Sequence, residues 1–304
     1  MNKTHIIYVP GKSPKPEAEH HRDLLWRSLV EGLQRAEPDV AKDIELHKKN
    51  FHIAAWNYTY YQKSHDTAQD LPWIDALLNQ HGPTQDDIRE ATSMRIKLTR
   101  YMYILADLIP GLIRLLPQST RNTIEETNAY FDNRNNIGYE IRGMLKSLLR
   151  PILDKNEPVL VIGHSLGSVI VYDTLWELSR TEVHRGKVDF FSLGSPLGLK
   201  FIQSKLQGRQ YPNKNRYPAN VRRWINLSSV GDTTAVDQNI ADDFHDMLKY
   251  GLVDCIEDHS KGIYNFYHDE GGLNCHSSYG YLVNPAVGEI IADWWVKNAQ
   301  TLSR

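Results

Sequence analysis

Cysteine, net charge and long apolar runs are all scarce in this sequence of 304 residues. The only cysteines, Cys255 and Cys275, are too few for a disulfide framework, and neither belongs to a CxxC pair. The 35 basic and 37 acidic side chains nearly cancel, which disfavours a protein whose main task is to bind nucleic acid. We therefore expect a globular protein in a reducing compartment that does not bind nucleic acid.

No segment of the sequence has the pattern of a signal peptide or of a membrane span. The first residues run directly into the short apolar stretch Ile6–Val9, without a small-residue cleavage site. The most apolar other segment, Tyr101–Leu116, contains Asp107, Pro110 and Arg114, and it is too short and too charged to cross a bilayer. These absences predict a soluble, cytoplasmic protein.

Short runs of β-forming residues alternate with amphipathic helical stretches along the chain. This alternation predicts an α/β fold, a mostly parallel twisted sheet flanked by helices on both faces. The expected strands are His5–Val9, Phe51–Trp56, Val159–Ile162, Val188–Leu193, Arg223–Val230 and Gly262–Tyr267. The expected helices of the same unit are Pro16–Ala36, Ile137–Ile152, Ser168–Leu178 and Pro285–Val296.

About a hundred residues separate the second and third expected strands, far more than a simple helical crossover needs. We predict that residues 1–56 and 137–304 form the core, and that residues 57–136 are an inserted helical cap or lid. A helix is expected from Met94 to Leu116, with a kink at Pro110-Gly111. Its apolar side chains recur at three- and four-residue steps, at Tyr101, Leu105, Leu108, Leu112, Leu115 and Leu116. They suggest an acyl-binding wall or a lipid-facing lid, the alternative being an ordinary helical elaboration packed on the core.

The motif GHSLG at residues 163–167 lies between an apolar strand and an amphipathic helix. A strand-to-helix turn this tight brings backbones together, so side chains two places before and after the serine would clash. The turn would hold the hydroxyl of Ser165 above the sheet, and the helix N-terminus behind it would favour developing negative charge. Ser165 is therefore the candidate nucleophile.

The block GHSLG resembles the nucleophile elbow of the α/β-hydrolase superfamily, in the form common among lipases and esterases. The resemblance covers most of the chain outside residues 57–136. It implies a serine esterase whose triad follows in the chain order serine, acid, histidine. The implied substrate is a small-molecule or lipid ester, and neither a cofactor nor a catalytic metal is expected.

The acid of such a triad is expected at the carboxyl end of a later strand. Asp232 directly follows the expected strand Arg223–Val230. The run Asp232-Thr233-Thr234-Ala235 resembles the Asp-Pro-Val segment of many lipases, with Thr233 in place of the proline. Asp237 is the second candidate, and an ordinary aspartate in a Gly-Asp turn is the other interpretation of Asp232.

Four histidines follow the candidate acid: His245, His259, His268 and His276. The run His276-Ser277-Ser278-Tyr279 precedes the last expected helix, and it resembles the setting in which lipase-like hydrolases carry their histidine. His276 is therefore the candidate base, with His268 second.

The resemblance also implies two backbone donors for the oxyanion. One is the N–H after the nucleophile, on Leu166, and the other belongs to the loop after the first strand. Many relatives have His-Gly where this chain has Pro10-Gly11. By analogy the second donor is Lys12, with Gly11 as the alternative.

Charge is segregated along the second half of the chain. Between Phe190 and Gly231 the charged residues are all basic, and between Asp232 and Asp258 all but Lys249 are acidic. A basic surface near the site would favour an anionic head group or a peripheral membrane contact. The alternative is a pair of solvated loops whose opposite charges meet in the fold.

Other activities are compatible with the same motif. A thioesterase, amidase or acyltransferase would use the same scaffold, and a binding protein could retain the elbow without turnover.

Overall fold

The computed structural model describes residues 3–109, 118–182 and 186–301. Six strands form its main sheet: β1 (His5–Val9), β2 (Phe51–Ile53), β3 (Val159–His164), β4 (Val188–Leu193), β5 (Val221–Leu227) and β6 (Cys255–His259). All neighbouring strands are parallel, in the spatial order β2-β1-β3-β4-β5-β6. The predicted α/β fold with a mostly parallel sheet flanked by helices is confirmed.

The predicted sixth strand is wrong. The sixth strand of the sheet is β6, which pairs in parallel with β5, whereas residues 262–267 form no strand. The sequence of β6, CIEDH, is polar because this strand lies at the edge of the sheet. Ile263 and Phe266 are buried in an irregular segment beside the sheet. The apolar pattern of residues 262–267 therefore reflects their burial and not a strand.

The second predicted strand is also shorter than expected. β2 ends at Ile53, and a helix begins at Asn57. The indole N–H of Trp56 donates a 2.8 Å hydrogen bond to the carbonyl of Pro10, beyond the end of β1. The chain has therefore left the strand ladder by Trp56, although its apolar side chain is buried.

The four predicted core helices are present, with ends that differ by a few residues. They are α1 (Ala18–Ala36), α8 (Ile137–Asp154), α9 (Leu166–Thr181) and α14 (Pro285–Thr301). The shorter helices α2 (Pro38–Glu45), α10 (Lys200–Gln203), α11 (Ile240–Asp243), α12 (His245–Lys249) and α13 (Ser278–Leu282) also belong to residues 1–56 and 137–304. None of the helices in the described ranges is long and apolar enough to cross a membrane.

Two apolar cores cover the two faces of the sheet. Ile7 and Val9 of β1 belong to the first core, and Ile6 and Tyr8 belong to the second. Helices α8 and α9 pack on the first core, whereas α1 and α14 pack on the second. The central strands β3 and β4 are buried along their whole length, and they are mostly apolar because both of their faces are covered.

In the described part of residues 57–136 the α-helices are α3 (Asn57–Tyr61), α4 (Leu71–Asn79), α5 (Gln85–Ala91), α6 (Met94–Leu108) and α7 (Gln118–Phe131). The predicted kink at Pro110-Gly111 and the side chains of Leu112, Leu115 and Leu116 lie outside the described residues. Along α6, Tyr101, Leu105 and Leu108 are 66%, 49% and 63% exposed, and Ala106 is buried. The apolar spacing of α6 thus marks a solvent-facing surface, and the division into core and cap stays a prediction.

Candidate active site

Ser165 lies at the turn between β3 and α9, with φ 54° and ψ −128°. Non-glycine residues rarely adopt a positive φ, and such strain often accompanies function. The N–H of Ser165 donates a 2.9 Å hydrogen bond to the carbonyl of Leu193, the last residue of β4. The backbone of the neighbouring strand therefore fixes the position of this turn.

The two glycines of GHSLG are sterically required. A Cβ atom at Gly163 would lie 2.6 Å from the Cα of Ser168, and one at Gly167 would lie 2.1 Å from the carbonyl oxygen of Val9. Both contacts are with backbone, which has no room to move away. These clashes are the steric reason, predicted from the motif, for a glycine at both positions.

Asp232 lies in the loop after β5 and is completely buried. Its Oδ1 accepts hydrogen bonds from the N–H groups of Thr234 (2.7 Å) and Ala235 (3.3 Å). Its Oδ2 accepts from Nδ1 of His276 (2.8 Å) and from the phenol of Tyr281 (2.7 Å). Burial raises the pKa of this carboxyl group, but the charge of His276 and these hydrogen bonds outweigh it, so the pKa is lowered overall. Asp232 is therefore held as a carboxylate.

His276 directs one ring nitrogen towards Asp232 and leaves Nε2 for proton transfer. Its backbone N–H donates to Oδ1 of Asn274 at 3.0 Å. Its carbonyl accepts a 2.8 Å hydrogen bond from Nε2 of His164, and the two imidazole rings lie 4.7 Å apart between centroids. Ser165 and His276 line the same cavity, which has a volume of about 410 Å³.

The other candidates for acid and base lie elsewhere. Asp237 accepts a 3.0 Å hydrogen bond from the N–H of Asn239, and His268 contacts Asp87 of α5 at 2.7 Å. His245 begins α12, and His259 lies 3.5 Å from Glu257. None of the four lines the cavity that contains Ser165. The fold thus brings Asp232 into contact with His276, which lines that cavity, and the other three histidines lie outside it.

The loop after β1 lies against Ser165. A Cβ atom at Gly11 would be 2.9 Å from the Cβ of Ser165. Lys12 lines the cavity, and its Nζ is 3.7 Å from Oε2 of Glu126. Leu166 is the first residue of α9, where backbone N–H groups have no partner within the helix. The three predicted oxyanion residues therefore line the same cavity as the serine.

Three supporting residues were not predicted from the sequence: His164, Tyr281 and Asn57. The amide of Asn57 donates to the carbonyls of Gly11 (2.7 Å) and Ser13 (2.9 Å), which fixes the loop after β1. Burial lowers the pKa of His164 well below its ordinary value, so this residue stays neutral. His164 could have been predicted as a supporting residue because it directly precedes Ser165 in the motif. Tyr281 and Asn57 could not, because the residues that they contact are distant in the sequence.

The segregated charges meet in the fold. Lys200 pairs with Asp243, and Arg223 lies 3.7 Å from Glu257, so basic and acidic runs neutralise each other in part.

Cys255 and Cys275 are free thiols. In the described ranges, no three His, Cys, Asp or Glu side chains form a group that could hold a metal ion.

Comparison with known proteins gives no relative for this chain. No family model, curated protein or solved structure matches it. The case for its function therefore rests on the geometry of its own side chains.

Proposed function

We propose that this protein is a serine esterase of the α/β-hydrolase superfamily, lipase-like in its elbow, that hydrolyses carboxylic esters. The proposal depends on one observation: His276, joined at 2.8 Å to the buried Asp232, lines the same cavity as a serine in a strained strand-to-helix turn. A serine hydroxyl is a weak nucleophile and needs a positioned base, which in turn needs a carboxylate to orient it. These are the three chemical roles of the triad.

In the first half of the reaction, Nε2 of His276 accepts the hydroxyl proton of Ser165 as Oγ attacks the ester carbonyl. Asp232 stabilises the imidazolium that forms and keeps Nδ1 protonated. The tetrahedral intermediate then collapses, the C–O bond to the alcohol breaks, and His276 gives its proton to the leaving oxygen. An acyl group remains on Ser165.

In the second half, His276 accepts a proton from water as the water oxygen attacks the acyl carbonyl. Collapse of the second intermediate breaks the bond to Oγ, and His276 returns the proton to Ser165. The carboxylic acid leaves and the enzyme is restored. The N–H groups of Leu166 and of Lys12, or Gly11 in its place, would stabilise the oxyanion in both halves.

The lining of the cavity favours an ester with an apolar chain. Apolar side chains from the inserted helices and the core form one part of its wall, at Ala106, Ile124, Leu199, Phe201, Ile202 and Val236. A volume of about 410 Å³ is within the range of small-molecule sites. We expect a compact ester rather than a large polymer, acting in the cytoplasm, where the free thiols of Cys255 and Cys275 would stay reduced.

A fluorophosphonate probe tests the activated serine. We expect mass spectrometry to find a single adduct, on Ser165, and none in Ser165→Ala; the exposed control variant Ser64→Ala should label like the wild type. An adduct elsewhere, or none on folded protein, would contradict the proposal. Matched ester, thioester and amide substrates then distinguish an esterase from a thioesterase or amidase, and added acceptor alcohols reveal acyl transfer.

A further inference from the structure

The cavity beside Ser165 has two chemically different ends. The apolar end includes Leu166 and Ile202, which belong to the first core. The other end includes Tyr267 and Tyr279, which belong to the second core on the opposite face of the sheet. Ser165 follows β3, a central strand between these two faces. An ester bound at Ser165 would therefore meet aliphatic side chains on one side and two phenols on the other.

Lys15 lines the cavity, and its charge acts on His21, whose ring lies 6.4 Å from that of Tyr279. The only hydrogen bond of Lys15 in the described part of the chain is made by its carbonyl, which accepts from the N–H of His65 at 2.9 Å. Its ammonium group makes no ion pair or hydrogen bond with any described residue. Burial disfavours the charge of this partly buried ammonium group, and the charge of Asp70 offsets that only in part, so an anion supplied by a ligand would stabilise it further.

The other charged side chains of the cavity wall have partners. Lys12 lies 3.7 Å from Glu126, and Asp70 accepts from Nε2 of His65 at 3.1 Å if that nitrogen carries the proton. The remaining contacts are those of Asp107 with the N–H groups of Lys200 and Phe201, and of Asp269 with Gly271 and Asn274. Within the described residues, Lys15 is thus the charged group of this wall whose side chain makes no direct ion pair or hydrogen bond, although the charge of Asp70 acts on it.

Two phenols lie on the same side as Lys15. The rings of Tyr267 and Tyr279 are 6.0 Å apart between centroids, and in the described residues neither hydroxyl has a hydrogen-bond partner. Burial raises the pKa of both phenols, so they stay protonated and can donate. Burial also lowers the pKa of Lys15 to about 8, which leaves the ammonium mostly charged at pH 7. Together they offer one cation and two neutral donors.

Lys15 is also close enough to the serine to act on the same substrate. Both residues line the same cavity of about 410 Å³, and the charge of Lys15 is a further cause, after burial and the charge of His276, that lowers the pKa of His164. An anion held by Lys15 would thus belong to the molecule whose carbonyl lies at Ser165.

We propose that Lys15, with the hydroxyls of Tyr267 and Tyr279, binds an anionic group of the ester substrate, a carboxylate or a phosphate. The substrate class is then an ester with an apolar chain on one side of the scissile bond and an anionic group on the other. This inference rests on the proposed esterase function. Lys15 binds and orients the substrate and takes no part in the bonds that form and break.

Matched esters test the subsite. Phenyl hexanoate is the neutral reference; 4-carboxyphenyl hexanoate and its phosphate counterpart carry the anion on the alcohol side, and the monophenyl ester of adipic acid carries it on the acyl side. We expect the wild type to prefer at least one anionic ester by about tenfold in kcat/KM, the scale of a charge-assisted hydrogen bond. The carboxylate and phosphate arms tell which anion is recognised.

Variants of the lysine separate its charge from its bulk. Lys15→Met should reduce the ratio of anionic to neutral kcat/KM to about one, and Lys15→Arg should keep most of it. The exposed control variant Lys63→Met should keep the whole ratio. A wild-type ratio near one with every anionic ester, or a ratio that Lys15→Met leaves intact, would overturn the inference. Failure of the esterase proposal is seen separately, as absence of turnover with the neutral ester too.

Discussion

The phenol of Tyr281 donates a 2.7 Å hydrogen bond to Oδ2 of Asp232, the carboxylate oxygen that also accepts from His276. The same phenol oxygen accepts a 2.7 Å hydrogen bond from the N–H of Ser229. Tyr281 and Asp232 are both completely buried, so these hydrogen bonds are made away from water. Tyr281 therefore links the candidate acid to the backbone at the end of β5.

Replacing Tyr281 by Phe removes the donor to Asp232 and leaves the Ser229 N–H without a partner. We expect the free energy of unfolding at pH 7 to fall by about 1–3 kcal/mol. Tyr58→Phe, at an exposed position, should cost nothing measurable. Denaturant titrations of both variants provide the measurement.

The pH dependence of that loss identifies its source. Because the pKa of Asp232 is lowered in the native state, its stabilising effect is present above the ordinary value of 3.8 and is lost as pH falls through the native pKa. The cost of Tyr281→Phe should therefore shrink below pH 3.8. An equal cost at pH 3 and pH 7 would mean that the bond to Ser229 carries it all.

His276 and His268 should differ sharply in turnover. His276→Ala removes the group that contacts Asp232 and should lower kcat/KM for a neutral ester by about 10³-fold or more. His268→Ala removes a contact with Asp87 outside the cavity and should change kcat/KM by about twofold at most. A larger loss at His268 would contradict the choice of base.

Gly167 and Gly143 form a matched pair of helical glycines. An alanine at Gly167 would place its Cβ 2.1 Å from the Val9 carbonyl, so we expect a loss of about 3 kcal/mol or more in unfolding free energy. At Gly143, in α8, a Cβ meets nothing within 4 Å, and alanine should stabilise by about 0.5–1 kcal/mol. Thermal or denaturant unfolding of the two variants checks both signs.

Ala106 of α6 offers a test of the apolar end of the cavity. It is buried and lines the cavity, so Ala106→Phe should occupy space that an apolar chain needs. We expect the ratio of kcat/KM for phenyl octanoate over phenyl acetate to fall by about tenfold. Leu105→Phe, at an exposed position on the same helix, should leave that ratio unchanged; equal effects of the two variants would place the chain elsewhere.

Asp173 of α9 gives the native state a distinct dependence on pH. This buried carboxyl group accepts from the phenol of Tyr130 (2.9 Å) and the N–H of Gln207 (2.8 Å). Burial nevertheless raises its pKa to about 7. The native state then binds more protons than the unfolded chain between pH 3.8 and about 7, so stability falls as pH rises through this window.

Asp173→Asn should remove that contribution. The difference in unfolding free energy between wild type and variant should change by up to about 1.4 kcal/mol per pH unit within the window, to the disadvantage of the wild type as pH rises. Asp39→Asn, at an almost fully exposed position, should show no such slope. A constant difference for Asp173→Asn would contradict the raised pKa.

The features that the sequence predicts correctly depend on local rules. The apolar runs of β1, β3 and β4 follow from burial of both sheet faces, and the glycines around Ser165 follow from backbone contact. Contacts between distant residues, such as Tyr281 with Asp232, leave no periodic pattern to read. The edge strand β6 is not predicted from the sequence. Most of its side chains are partly exposed and polar, so it lacks the apolar run on which strand prediction depends.

Two backbone hydrogen bonds continue the pattern of the sheet beyond the ends of its strands. The N–H of Ser165 donates to the carbonyl of Leu193 at 2.9 Å, and the N–H of Gly194 donates to the carbonyl of Leu227 at 3.0 Å. Carbonyl acceptors are supplied by every type of amino acid. Substitutions at positions 193 and 227 that still fill the core would therefore leave the serine turn and the start of the Asp232 loop in place. Related sequences could therefore differ from this chain at most side chains and still keep the same spacing between their reactive groups.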